Sequence, residues 1–198
     1  MIEKIVKDFR ISNLEFYYEG NHNKTYKGLI NGEQVQIRVS KNNIVDHKNE
    51  IIFLKNEFNN KIIYIDEFFM IRKWIDGKIL DNNSLDTLKK IKHSLEKQWV
   101  LKIPNISSFR PSIMDDIVLS HGDLRKKNII VSEDNNIFLI DFEWINYNTK
   151  YFDLAHLFLY CSFKVSDIVS VFEVEKKKLR REIKIVKKFN KKWLKSNN

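Results

Sequence analysis

The sequence predicts an α+β fold of two lobes, a small antiparallel sheet followed by a mainly helical half. Three observations carry this reading. Aromatic and alternating stretches crowd the first third, and two of them flank Asn31-Gly32, a pair that supplies the two positive φ angles of a type I′ hairpin turn. The second half carries apolar residues at helical spacing. Between them Ile75-Asp76-Gly77 reads as a turn, so residues 1–76 are assigned to the first lobe and 77–198 to the second.

Residues 14–19 form an aromatic strand, and 25–30 and 33–39 form the arms of the hairpin. Residues 44–57 place Ile44, Ile51, Leu54 and Phe58 near one face of a helix that Asn59-Asn60 breaks. Residues 61–74 read as two short strands around Asp66-Glu67, closing a sheet of about five strands. Ser84 is the N-cap of a helix running to about Trp99. After a loop to Pro111, a short segment ends at Ser120, and two short apolar strands, 129–131 and 137–140, flank a turn at 133–136. From Phe152 onward the chain reads as helices. In the last one Leu179, Ile183, Val186, Phe189 and Trp193, spaced by four and three, form one apolar stripe with a basic outer face.

Composition narrows the class. Hydrophobic residues make up 43% and charged residues 31% of the 198, which suits a soluble globular protein and excludes a disordered one. Five Gly and two Pro exclude collagen-like and linker-rich chains. The single cysteine, Cys161, rules out an intramolecular disulfide and a Cys-rich zinc site, which points to a reducing, intracellular setting. The N-terminus has no signal-peptide core, and the most apolar stretch, residues 151–163, is interrupted by Asp153 and His156 and falls short of the ~20 residues of a membrane span. A cytoplasmic protein is expected. The net charge of +9 suits an anionic partner such as ATP, anionic lipid or nucleic acid. Much of the excess lies after Glu175. A packed helix with solvated lysines is the plain reading there; a contact with nucleic acid or a membrane surface is the sharper one, and nucleic acid is not the expected partner.

Residues 120–141 are the most informative stretch. They contain His121-x-Asp123-x-x-x-x-Asn128, an apolar strand, a turn, a second strand, and then Asp141-Phe142-Glu143. Phosphoryl transfer needs a hydroxyl placed in line and phosphate charge neutralised by metal. Asp123 is the candidate to orient that hydroxyl and accept its proton; Asn128 and Asp141 are candidate Mg2+ ligands, both hard oxygen donors. Singly, Asp123 and Asn128 read as turn residues and Asp141 as a helix cap; together they favour the chemistry. His121 reads as a packed, hydrogen-bonded loop residue.

The run His121-Gly122-Asp123-Leu124, with Asn128-Ile129 following, resembles the catalytic loop of the aminoglycoside phosphotransferase and choline kinase superfamily. The continuation Ile140-Asp141-Phe142-Glu143-Trp144, then Asn146 to Asn148, then Phe152-Asp153-Leu154-Ala155, is similar to its choline/ethanolamine kinase branch. The resemblance covers residues 120–159 and implies a protein-kinase-like fold, with ATP and Mg2+ held between the lobes and the γ-phosphate passed to a small amino alcohol. Residues 19–26 are more loosely similar to the family's phosphate loop, with Asn23 and Thr25 in place and His22 where a threonine is usual; an ordinary polar hairpin is the alternative. The resemblance also makes Arg38 the clamp on the α- and β-phosphates, with Glu50 its ion-pair partner.

The acceptor side departs from the pattern. Where the branch usually carries a glutamate facing the acceptor nitrogen, this chain has Tyr160. Glu143, Trp144, Tyr147 and Tyr160 are the candidate acceptor residues, and Trp193 is a further aromatic that an ammonium cage could use. Aromatics at helical spacing are also ordinary core. Asp153 reads either as support for the catalytic loop or as purely structural. Choline or a close analogue is the expected acceptor; an aminoglycoside, a sugar or a thiamine-like alcohol is the alternative, and a non-catalytic nucleotide-binding protein of the same fold is the rival class.

Overall fold

The computed structural model describes residues 1–41, 46–58, 60–110 and 115–196, with side chains described through residue 191. The chain divides into two compact units, Met1–Ile75 and Asp76–Asn198. The first holds helix α1 (Ile2–Asp8), strands β1 (Ser12–Glu19), β2 (Asn23–Ile30) and β3 (Glu33–Ser40), helix α2 (Lys48–Glu57), and strands β4 (Ile62–Ile65) and β5 (Phe69–Lys73). The strands form one antiparallel sheet in the order β1-β2-β3-β5-β4. Its core is Val35 and Ile37 of β3, Ile71 of β5, Ile5 and Ile11. Helix α1 was not expected from the sequence: its seven residues are dense in charge, and only Ile5 is buried. Helix α2 begins at Lys48, later than its apolar spacing suggested; Ile44 lies outside the described residues.

The hairpin turn has the form its dipeptide dictates. Asn31 and Gly32 sit at φ 51° and 83°, and Ile30 pairs with Glu33 across them.

The second unit contains β6 (Lys78–Ile79), α3 (Leu85–Trp99), β7 (Ile117–Ser120), a 3₁₀ turn at Lys126–Asn128, β8 (Ile129–Val131), β9 (Ile137–Leu139), β10 (Asn146–Thr149), α4 (Lys150–Tyr160), α5 (Val165–Phe172) and α6 (Lys176–Ser196). Two small sheets serve the loops, one in the order β6-β8-β9 and one pairing β7 with β10. Ser84 caps α3 by accepting the Thr87 N–H at 3.2 Å, and Leu88, Ile91 and Leu95 bury one face of that helix. Strand β10 reads Asn-Tyr-Asn-Thr, with no apolar alternation to announce it; its pairing with β7 makes it a strand. Helix α6 buries Leu179, Ile183 and Val186, whereas Phe189, at the edge of that stripe, is 40% exposed and meets Phe109 edge-on. No helix among the described residues is long and apolar enough to cross a membrane.

A Cβ on Gly32 would meet no atom within 4 Å, so Gly32→Ala tests the backbone alone. The left-handed φ predicts a loss of about 1 kcal/mol, read as a lowered denaturant midpoint at unchanged slope.

Candidate active site

The residues expected to carry chemistry in the second unit sit on a loop that Asp153 holds from below. Strand β7 delivers Ser120, then His121, Gly122 and Asp123 turn away from it. Asp153, on α4 and fully buried, accepts four hydrogen bonds. One oxygen takes the Ser120 hydroxyl at 2.8 Å and the Gly122 N–H at 3.2 Å. The other takes the His121 N–H at 3.1 Å and the Trp99 indole N–H at 2.9 Å. All four partners donate, which is what an ionised carboxyl requires of its surroundings.

Gly122 is the second constraint. Its φ is 84°, and a Cβ there would lie 1.9 Å from the carbonyl oxygen of Trp144, so the loop closes onto the 142–145 turn only with glycine at this position. His121 is fully buried; its Nε2 faces the Ile140 carbonyl at 3.0 Å and its Nδ1 faces the Asp123 N–H at 3.4 Å. A carbonyl only accepts, so Nε2 carries the proton and Nδ1 is the acceptor.

Asp123, Asn128 and Asp141 are brought together by this loop and the β8–β9 hairpin. Asn128 Nδ2 donates to the Asp123 carbonyl at 2.8 Å and to its carboxylate at 3.2 Å. Asn128 is 2% exposed and uses its amide nitrogen on Asp123, which leaves Oδ1 as the oxygen it can offer a ligand. The Asn128 carbonyl accepts the Ile140 N–H at 3.0 Å, setting residue 128 beside the end of β9, and Asp141 follows at φ 65°. Lys127 lies 4.0 Å from the Asp141 carboxylate. No group of three or more His, Cys, Asp or Glu that could hold a metal occurs among the described residues. One carboxylate and one amide oxygen fit Mg2+ in the way it is often bound, through few protein ligands with water and phosphate oxygens completing the shell.

In the first unit Arg38 and Glu50 pair as expected, Nη2 to Oε2 at 2.5 Å, both buried. His47 was not foreseen. Its Nδ1 lies 2.9 Å from the same carboxylate oxygen, and its Nε2 lies 3.3 Å from the Ser40 hydroxyl, so a relay runs Ser40–His47–Glu50–Arg38. The spacing of His47 and Glu50, three apart at the start of a helix, was the available signal. Burial pushes the Glu50 carboxyl up, but the Arg38 charge and the hydrogen bonds from His47 and Arg38 outweigh it and bring it down to about 2. Asn23 and Thr25 open β2, in register with Ser40 and Arg38. The 20–22 turn before them is closed by Gly20 N–H to the Asn23 carbonyl at 2.9 Å and by Lys41 N–H to the His22 carbonyl at 2.7 Å.

The acceptor candidates have different surroundings. Glu143 is buried, while Trp144 is 37% exposed. The Tyr147 hydroxyl is held by the backbone of Ile103, accepting its N–H at 2.7 Å and donating to its carbonyl at 3.1 Å. Tyr160 carries the Arg125 guanidinium over its ring at 4.4 Å, and its hydroxyl is hydrogen-bonded by Asn190 of α6. The Trp193 side chain lies outside the described residues. Arg125 also pairs with the Asp123 carboxylate at 2.5 Å, so it bridges the candidate base and the Tyr160 ring. Sequence reasoning passed over Arg125, although it stands two residues after Asp123. His156, at 3% exposure, packs edge-on to Phe152 and beside Tyr160; burial lowers its pKa to about 4, so it sits there uncharged at neutral pH.

The depressed Glu50 pKa has a definite sign. The stabilisation is present in full above the ordinary glutamate range and is lost as pH falls from about 4.5 towards 2. Glu50→Gln is predicted to flatten the acid limb of stability in that window. The difference is of the order of 3 kcal/mol between native and variant, measured by denaturant unfolding at stepped pH.

The sequence profile of choline/ethanolamine kinases matches residues 30–198. A curated relative, an uncharacterized protein of Metamycoplasma hominis, is 29% identical over 184 residues; the match covers 84% of this chain and 36% of that protein, so the chain spans about a third of its relative's length. Among solved structures, choline kinase LicA from Streptococcus pneumoniae superposes with a TM-score of 0.69 at 18% identity, covering 88% of this chain and 79% of that one. A Plasmodium vivax ethanolamine kinase gives 0.64 at 19%, covering 86% and 71%. The aminoglycoside phosphotransferase APH(2")-IIa, solved with gentamicin, gives 0.72 at 17%, covering 94% and 85%. At these identities the structural likeness is one of fold, the protein-kinase-like α+β fold. The profile match over residues 30–198, on a chain whose loop and strand ends carry the geometry above, shows that this chain belongs to the choline/ethanolamine kinase family.

Proposed function

We propose that the chain is an ATP-dependent phosphotransferase that passes the γ-phosphate to the hydroxyl of choline or a related small amino alcohol. The observation that carries this reading is the Asn128 amide joined to both the carbonyl and the carboxylate of Asp123, on a loop pinned by Asp153. Asp123 orients the acceptor hydroxyl and takes its proton as the oxygen attacks the γ-phosphorus and ADP departs. Asn128 and Asp141 hold Mg2+, which supplies charge neutralisation on the phosphates when bound. Arg38, fixed by Glu50 and His47, holds phosphate oxygens, and the backbone around Asn23 and Thr25 lines the phosphate loop. Glu143, Trp144, Tyr147 and Tyr160 are the residues on which acceptor recognition draws. The structures of choline and ethanolamine kinases with this fold support the amino-alcohol class.

A second reading has its own observation. Arg125 already covers the Tyr160 face, the position an ammonium group would take. A neutral alcohol such as a sugar meets no charge opposition there, whereas choline must displace the guanidinium.

ADP release from MgATP, measured with choline, ethanolamine, a simple sugar, a thiamine-like alcohol and an aminoglycoside in turn, tests both. Choline-dependent turnover that falls roughly 10²–10⁴-fold in Asp123→Asn is the predicted result. Turnover with the sugar and none with choline selects the second reading. ATP binding with no turnover on any acceptor would contradict both and favour a nucleotide-binding role without catalysis.

A further inference from the structure

Helix α6 is anchored on one face and unneutralised on the other. Leu179, Ile183 and Val186 are buried, and the helix's acid, Glu182, is buried with them and paired with Arg110. On the opposite face Lys177, Arg181, Lys184 and Lys188, spaced by four, three and four, form an exposed ridge one helical row wide. None of the four has an acidic partner among the described residues. Of the nearby acids, Asp116 takes Lys150 and Lys178, and Glu175 takes Lys178. Beside the ridge lie three exposed apolar side chains, Ile185 at 38%, Phe189 at 40% and Phe109 at 39%. Phe109 and Phe189 are fixed edge to face, centroids 5.1 Å apart at 88°, and Ile185 stands one turn before Phe189.

We propose that this face of α6 docks the protein on an anionic phospholipid bilayer. The partner must be anionic, because the ridge is a row of like charges with no acidic partner among the described residues. A bilayer fits better than nucleic acid on two counts. The ridge is three lysines to one arginine; lysine serves as a diffuse counter-charge to a headgroup layer, whereas forked recognition of phosphates and bases favours arginine. The aromatic pair is locked edge to face, which presents an apolar corner suited to the headgroup boundary and not the open ring faces on which bases stack. The lysines approach the headgroups, and Ile185 and Phe189 enter the boundary beside them. The buried stripe stays packed, so docking needs no unfolding of the helix.

Co-sedimentation of the full chain with vesicles tests this. Vesicles of phosphatidylcholine mixed with phosphatidylglycerol are expected to retain the protein, and vesicles of phosphatidylcholine alone are not. Retention is expected to fall with added salt. The double variant Lys184→Glu, Lys188→Glu changes only exposed positions and is expected to bind roughly tenfold or more weakly, with unchanged thermal unfolding. Ile185→Ser is expected to weaken the binding that survives added salt. Equal retention on neutral vesicles, no retention on anionic ones, or undiminished binding by the charge-reversed variant would overturn the proposal. Displacement from anionic vesicles by a single-stranded homopolymer RNA of matched charge would overturn it too, and assign the ridge to nucleic acid.

Discussion

A single buried carboxylate organises the candidate site. Asp153 accepts hydrogen bonds from the Ser120 hydroxyl, the His121 and Gly122 amides and the Trp99 indole, and so ties β7, the loop after it, α3 and α4 to one point. A charge removed from water is stable only when its lone pairs are met by donors, and each hydrogen bond to a charged group contributes about 1.5–3 kcal/mol. The loop therefore cannot drift without stranding that charge. Asp123 inherits its position from this anchor, since it follows directly on the two amides that Asp153 fixes.

Ionisable groups in the buried parts of both units follow the same logic with different outcomes. Glu50 stays charged because Arg38 and His47 outweigh its desolvation. His156 has no hydrogen-bond partner at Nδ1 among the described residues, and burial outweighs the nearby Asp123 and Asp153 charges, so the ring is neutral at physiological pH. Cys161 is pushed up to about 12 by burial, its thiol directed at the Leu124 carbonyl at 3.7 Å, which makes it an inert packing residue. Charge is kept where donors or counter-ions are built around it: at Asp153, at Glu50, and at Glu182 with its Arg110 partner.

The sequence was most legible where one local rule determines structure. Asn31-Gly32 specified its turn through two backbone angles, Ser84 specified a helix start through one hydrogen bond, and Leu88, Ile91 and Leu95 specified a buried face through period. Asp123, Asn128 and Asp141 were legible because their spacing matches a loop and hairpin that bring them together. What stayed hidden depends on distant pairing. Strand β10 exists through β7, the short charged α1 through the sheet face it packs on, and the role of Asp153 through donors between 31 and 54 residues away. Arg125 and His47 were hidden for a different reason: lysines, arginines and histidines near a motif are common, and only geometry separates a residue that bonds the motif's carboxylate from one that faces water. The acceptor side was read only as a set of candidates, with ordinary core as the alternative for its aromatic residues. Tyr147 turned out to be tied to Ile103 and Tyr160 to Arg125, contacts that ring-bearing residues at suggestive spacing do not disclose.

Amide hydrogen exchange at His121 and Gly122, compared between the native chain and an Asp153→Asn variant of native circular dichroism, tests this account most directly. The amide of asparagine presents a donor where the loop and the Trp99 indole also donate, so exchange at these two positions should quicken by roughly tenfold or more, while the α3 interior stays protected. Unchanged exchange at His121 and Gly122 in the variant would show that the loop holds its shape without the Asp153 anchor, and the account of how Asp123 is positioned would be wrong.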